Sequence, residues 1–228
     1  MRRLIAPLLA LMSVSVSTQQ PAELRDVIVT TGEAVVRRAP DIAYIALAVE
    51  TRAKSPRDAQ RQNGEAMAAV TKRLSDAGVA RDALRTVGLR LEQEFDSANG
   101  RRIPRDFLAR NALEVTVADV NRAGEIADAA VQAGASSLDG IRFDVKDRAG
   151  AEREAIRLAV VDARARCEAA AAGAGRAVDR ILKIEQGAEA IVRPQTMRLS
   201  SFETNAVTNV QPGFIEIRAE VTLTALMR

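Results

Sequence analysis

Two hydrophobic periods take turns along this chain, and that alternation leaves it few folds. From 42 to 51, Ala43, Ile45, Leu47, Val49 and Thr51 alternate with the less apolar set Ile42, Tyr44, Ala46, Ala48 and Glu50. From 214 to 226, Ile215, Ile217, Ala219, Val221 and Leu223 hold every second position. A period of two is what a strand needs when one face is buried. Elsewhere Ala59, Ala66, Met67, Val70, Leu74 and Ala77 form the apolar stripe of a helix. Strands with one apolar face and helices with one apolar stripe bury both by packing on each other, so helix on sheet is expected.

Turn and cap residues order these segments. Residues 27–37 and 42–51 read as strands, with Ala39-Pro40-Asp41 between them as the turn of a hairpin. Ser55-Pro56-Arg57-Asp58 opens a helix: Ser55 caps, Pro56 suits the first helical position, and Asp58 takes the capping-box position. Gly78 ends it. Residues 86–95 and 107–117 read as a long hairpin around a polar turn at 96–104 that contains Asn99-Gly100. Val87, Leu89 and Leu91 share one side of its first strand. A second helix starts near Asp119 or Asn121, carries Ala123, Ile126, Ala127, Ala130 and Val131, and stops at Gly134. A strand at 138–145 follows, then a long helix at about 149–172 with Ile156, Val160, Ala163, Cys167 and Ala170 on one face. Residues 178–186 and 214–226 are strands flanking an irregular polar segment at 188–213. The order is ββαββαβαββ. The class is α+β: a mixed, largely antiparallel sheet with helices packed on one face. The Ala-Gly steps at Ala77-Gly78, Ala133-Gly134 and Ala174-Gly175 read as glycine C-caps rather than an internal repeat. A length of 228 residues suits one domain, or two small intimate subdomains.

Composition removes several function classes. Aromatic residues make up 3% of the chain and Trp is absent, so the core is built of Ala, Val, Leu and Ile. The stacking faces of a single-stranded nucleic-acid platform are missing. Without Arg2 and Arg3 the balance is 31 Lys and Arg against 30 Asp and Glu, with the signs interspersed, unlike a nucleic-acid-binding face. The absence of His excludes the Ser-His-Asp and Cys-His nucleophile systems, the usual zinc sites and an imidazole switch. A single cysteine excludes an intrachain disulfide. No GxGxxG or Walker pattern occurs, and Gly173-Ala174-Gly175 follows a helix, where a dinucleotide loop would precede one. No cofactor, metal or catalytic residue is expected, and no nucleic-acid partner.

Four features remain. Cys167, on an apolar helix stripe, reads as a buried structural thiol, with redox sensing the sharper alternative. Glu92, Glu94 and Asp96 share a strand face, with Glu114 on the returning strand. Two carboxylates can serve a hydrolase, but this face is where a solvated surface lies. Arg101, Arg102 and Arg105 cluster at the hairpin turn and offer an anion contact for phosphate or lipid headgroups, weakened by Asp106. In segment 188–213, Met197, Leu199 and Phe202 are apolar side chains among Ser, Thr, Asn and Pro, and offer a partner contact.

The N-terminus carries an export signal pattern: Met1-Arg2-Arg3, an apolar run from Leu4 to Val16, and small residues at Ser15-Val16-Ser17. The run is shorter than the ~20 residues of a spanning helix. A signal peptide over residues 1–17 and a domain over 24–228 are expected, with no transmembrane helix in the mature chain.

The remaining motifs resemble the SIMPL-domain family of bacterial exported proteins. Thr31-Gly32-Glu33-Ala34 and Ala39-Pro40-Asp41-Ile42-Ala43 resemble its opening hairpin. Ala77-Gly78-Val79 with Asp82-Ala83-Leu84-Arg85-Thr86 and Gly88-Leu89 resembles its helix-to-strand signature. Ala109-Arg110-Asn111, Val115-Thr116-Val117, Ala133-Gly134-Ala135, Gly140-Ile141 and Ala163-Arg164-Ala165-Arg166 follow in family order. Cys167 departs from the small or polar residue expected there. The resemblance implies an α+β fold, no cofactor, no established catalytic residues, a periplasmic or outer-membrane location and a homo-oligomer. It also implies association with envelope and oxidative-stress phenotypes. The expected function is therefore non-enzymatic: self-assembly or binding of an envelope protein partner. The alternative is an envelope enzyme or small-ligand protein whose site forms between subunits.

Export has a direct test. Mature protein recovered from the cell envelope should begin near Thr18 by N-terminal sequencing. Full-length chain retaining Met1 in the cytosol would refute the leader.

Overall fold

The computed structural model describes residues 26–98, 100–187, 192–193, 196–197 and 212–228. The leader, Leu199 and Phe202 lie outside the described residues. The elements are β1 (Val27–Arg38), β2 (Ile42–Ala53), α1 (Pro56–Asp76), β3 (Leu84–Ala98), β4 (Arg101–Val117), α2 (Ala123–Gln132), β5 (Ser137–Asp144), α3 (Arg148–Gly173), β6 (Val178–Gln186), β7 (Val192–Arg193), β8 (Thr196–Met197) and β9 (Ile215–Met227). The expected order and α+β class hold, with the two-residue strands β7 and β8 added inside segment 188–213.

Pairing is antiparallel and divides the strands between two sheets, one ordered β3-β4-β2-β5-β8 and the other β1-β9-β6, with β7 also on β9. The expected hairpin between the first two strands does not form. β1 runs the length of β9, from Val27 opposite Leu226 to Arg38 opposite Ile215, while β2 lies between β4 and β5. The chain changes sheet at Pro40. The Asp41 amide donates to the Asp144 carbonyl at 3.1 Å, and the Asp41 carboxylate accepts from the Lys146 amide at 2.7 Å. These bonds tie the corner to the end of β5. The β3–β4 hairpin forms as expected but extends through the polar stretch to Ala98 opposite Arg101, with Gly100 at φ +73°. Its polarity marks a two-stranded arm wetted on both faces, not a wide turn.

The helix ends follow the sequence closely. Ser55 Oγ accepts the Asp58 amide at 3.1 Å and donates to its carboxylate at 2.7 Å. At the C-termini of α1, α2 and α3 the glycine takes positive φ, and the residue after it donates back five positions: Val79 to Leu74, Ala135 to Ala130, Arg176 to Ala171. This is one Schellman cap used three times. Its backbone bonds account for the repeated Ala-Gly step.

One contiguous core draws on both sheets. Ile45, Leu47, Leu113, Val115, Ile141 and Phe143 pack with Val70, Leu74 and Ile126 of α1 and α2, and with Val36, Ile215, Ile217 and Val221 of the other sheet. Asn63 is buried in the α1 stripe. Its amide donates to the carbonyls of Val49 at 2.8 Å and Ala109 at 3.0 Å, fixing the helix to β2 and β4.

Helix α3 covers β1 and β9 with Ala151, Ala155, Ala159, Ala163, Cys167 and Ala171, one every four residues. Each step of four advances about 40° around a helix of 3.6 residues per turn, so the stripe winds as it follows the twisted strands. Ile156 and Val160 flank it, half-buried, and Ala170 is exposed. A Cβ added at Gly32 would stand 2.2 Å from the Ala163 nitrogen and 2.3 Å from the Ala159 oxygen, both backbone atoms. Hydrogen bonds hold the contact on either side. The Thr30 hydroxyl donates to the Ala163 carbonyl at 2.9 Å, the Glu33 amide to Asp162 at 2.9 Å, and Arg166 to the Thr31 carbonyl at 3.1 Å. The Glu33 amide, with Arg166, holds the Asp162 carboxyl below its ordinary range. That contribution is present at neutral pH and fades as acid protonates the group.

Gly32→Ala should therefore cost about 3 kcal/mol in urea unfolding, at the upper end of overpacking penalties, because neither backbone can yield separately. A loss below about 1 kcal/mol would show that α3 can move away from β1.

Candidate functional site

Three surfaces carry the side chains that could act on another molecule. The first is the face of the five-stranded sheet turned away from α1 and α2. Most of its charges are taken up in ion pairs, Arg90 and Glu92 of β3 excepted. Arg110 bonds Glu50 and, at 2.7 Å, Asp139. Arg52 grips Glu94 with two bonds at 3.0 and 3.1 Å, and Arg85 meets Glu114 at 2.7 Å. Arg142 lies over the Tyr44 ring at 4.1 Å and bonds Asp144 at 2.8 Å. The carboxylates considered for hydrolysis do not converge: Glu94, Glu114 and Asp96 each hold a different arginine, and the Glu92 side chain has no ion-pair partner among the described residues.

The second is a groove of about 540 Å³ between α3 and β6, bordered by Arg164, Cys167, Glu168, Arg176, Val178 and Ile181. It opens because α3 covers β1 and β9 but not β6, leaving Ile181 and Ile184 exposed. Cys167 is 1% exposed, as its place on the stripe implied. Burial pushes its thiol pKa up, with the Thr30 hydroxyl opposing. The thiol is held neutral rather than activated.

The third is the β3–β4 arm. The arginine cluster sits at its end but does not converge on one point. Arg105 pairs with Asp96 at 3.3 Å, Arg102 lies over the Phe95 ring at 4.2 Å on the opposite face, and Arg101 is exposed. Val87, Leu89, Leu91, Phe95 and Ile103 are exposed on this arm. The sequence placed Val87, Leu89 and Leu91 together on one side. Leu89 and Leu91 do share the face of Asn111 and Ala109, but α1 does not reach over them. Met197 lies in β8 opposite Ile141.

Among the described residues no cluster of His, Cys, Asp and Glu could hold a metal ion, and no helix is long and apolar enough to cross a membrane. The chain matches the SIMPL family, described as a protein of unknown function (DUF541), over residues 28–225. It belongs to that family. The match takes in both sheets and all three helices. Among SIMPL relatives, the Escherichia coli K12 protein YggE, itself uncharacterized, is 29% identical over 160 residues. That alignment spans 69% of this chain and 65% of YggE, a little under two thirds of the relative's length. The 26 kDa periplasmic immunogenic protein of Brucella melitensis is 28% identical over 174 residues, 74% of this chain and 68% of that protein.

Burial of Cys167 is checked by thiol labelling. A maleimide reagent should modify the native SIMPL domain slowly and the urea-unfolded chain quickly, with the rates at least about a hundredfold apart. Equal rates would place the thiol at the surface.

Proposed function

We propose that this protein is exported to the periplasm and works there through its surfaces, by self-assembly or by binding an envelope partner, rather than by catalysis. The observation that carries the reading is the exposed apolar arm. Leu89 is 62% exposed and Leu91 43% on a strand at the open edge of its sheet. Clustered exposed apolar side chains on an unpaired edge mark a surface meant to be covered. The Brucella relative named as periplasmic, and the leader pattern at Met1-Arg2-Arg3, support the location. Outer-membrane association and a part in envelope or oxidative-stress tolerance are further elements of the proposal and rest on the family resemblance. Redox sensing through Cys167 is disfavoured by its burial.

The groove beside β6 favours a second reading, an envelope enzyme or small-ligand protein whose site is completed between subunits. It is open on the β6 side, and Arg164, Arg176 and Glu168 border it.

Sedimentation velocity on the mature protein distinguishes the two. Assembly predicts a species larger than a monomer that dissociates on dilution. A monomer at every concentration, with a ligand retained in the groove, would overturn self-assembly in favour of the second reading.

A further inference from the structure

Among the described residues the β5 edge is covered in part by β8, at Ile141 and Arg142; the other three edges, β1, β6 and β3, are not equivalent. The free edge of β1 is occupied by its own helix: Asp162 takes the Glu33 amide and Arg166 takes the Thr31 carbonyl. The edge of β6 is broken by register shifts between Val178 and Arg180 and again between Ile181 and Lys183. Both are recognised ways of blunting an edge. β3 is different. Its ladder with β4 is regular from Gly88 to Gln93, between shifts at Thr86/Gly88 and Gln93/Phe95.

The charges on that stretch are Arg90 and Glu92. Neither side chain has an ion-pair partner among the described residues, although Arg85, Glu94 and Asp96 on the same strand all do. Within the chain Arg90 is worse than unpaired, because the register sets it opposite Arg110. Like charges directly opposed across a ladder are destabilising.

We infer that β3 pairs with β3 of a second copy of this chain, antiparallel about a two-fold axis at Leu91, so that Arg90 of each copy faces Glu92 of the other. This rests on the self-assembly reading and assigns its surface. Residues opposed in an antiparallel pair point to the same side of the sheet, so a two-fold axis normal to the sheet must pass through a residue position. An axis at Arg90 opposes arginine to arginine. One at Glu92 opposes glutamate to glutamate, and one at Gln93 opposes Glu92 to Glu94. An axis at Leu89 sets Arg90 against Gly88. The axis at Leu91 gives two ion pairs with no like charges opposed. It also brings Leu89 and Leu91 of both copies into one apolar patch on the other face. A strand that complements itself under a two-fold axis suits an isologous contact, the commonest kind in homo-oligomers.

The test uses the mature chain and measures association by sedimentation. Arg90→Glu and Glu92→Arg, both on exposed positions, should each weaken association at least about tenfold by turning two attractions into repulsions. The double variant Arg90→Glu with Glu92→Arg should return to within a few-fold of wild type. Leu91→Cys should give a covalent dimer under mild oxidation, whereas Val29→Cys, exposed on β1, should not. Two outcomes overturn the edge assignment while leaving self-assembly standing. One is a chain that still associates but is indifferent to the charge reversals, as it would be if β6, β1 or another protein covered the patch. The other is a double variant as weak as the singles. A wild-type chain that never associates removes the self-assembly reading and this one together.

Discussion

Strand β1 and helix α3 meet backbone to backbone at Gly32, and much of the architecture follows from that contact. A strand can approach a helix this closely only where both surfaces are stripped of side chain. The helix responds with alanine at four successive positions from Ala151 to Ala163, and then Cys167 and Ala171. The 3% aromatic content, which looked like a deficit, fits this geometry: no large ring could lie between β1 and α3. The contact is held by groups flanking Gly32, so the same hydrogen bonds that locate the helix also fill the edge of β1. One arrangement thus seats the helix and protects a strand edge.

The helices then run out before the sheets do. α1 and α2 cover β2 and β4, α3 covers β1 and β9, and β3 and β6 are left with apolar side chains facing water. An aromatic-poor core intensifies this. Small side chains pack densely but spread little, so a strand one position beyond those the helices cover gains little cover. The exposed leucines of β3 are therefore consistent with the packing that makes the rest of the fold tight. They are also the part of the molecule for which the isolated chain offers no neighbour.

How much of this was legible depended on how local the determinant was. The element order, the Ser55 cap, the three glycine caps and the burial of Cys167 rest on interactions within a few residues or one helical face, and each was readable. The β1–β2 hairpin was misread because alternation reports which face is buried, not which strand lies alongside. The twelve-residue match between β1 and β9 joins the two ends of the domain, and no local pattern encodes it. Val87, Leu89 and Leu91 were placed on one side correctly in part, but alternation cannot say whether a helix covers that side. Asn63 was passed over although its spacing, four residues from both Ala59 and Met67, put it on the α1 stripe. A polar residue at such a position signals a buried hydrogen bond. The partner-contact residues Leu199 and Phe202 lie outside the described residues, while Met197 falls in a strand.

The ionic pattern explains what kind of regulation this protein can and cannot have. Its cross-strand pairs use arginine, which stays charged throughout. The carboxylates whose pKa is displaced move downward: Asp106 beside Lys54, Glu125 beside Arg122, Glu216 beside Arg218 and Arg37. Arg52, Arg110 and Arg122 move upward beside their carboxylate partners. With no histidine in the chain, no side chain of ordinary pKa changes charge between about pH 5 and 8. Contacts made through Arg90 and Glu92, both exposed, would respond to ionic strength and to protein concentration.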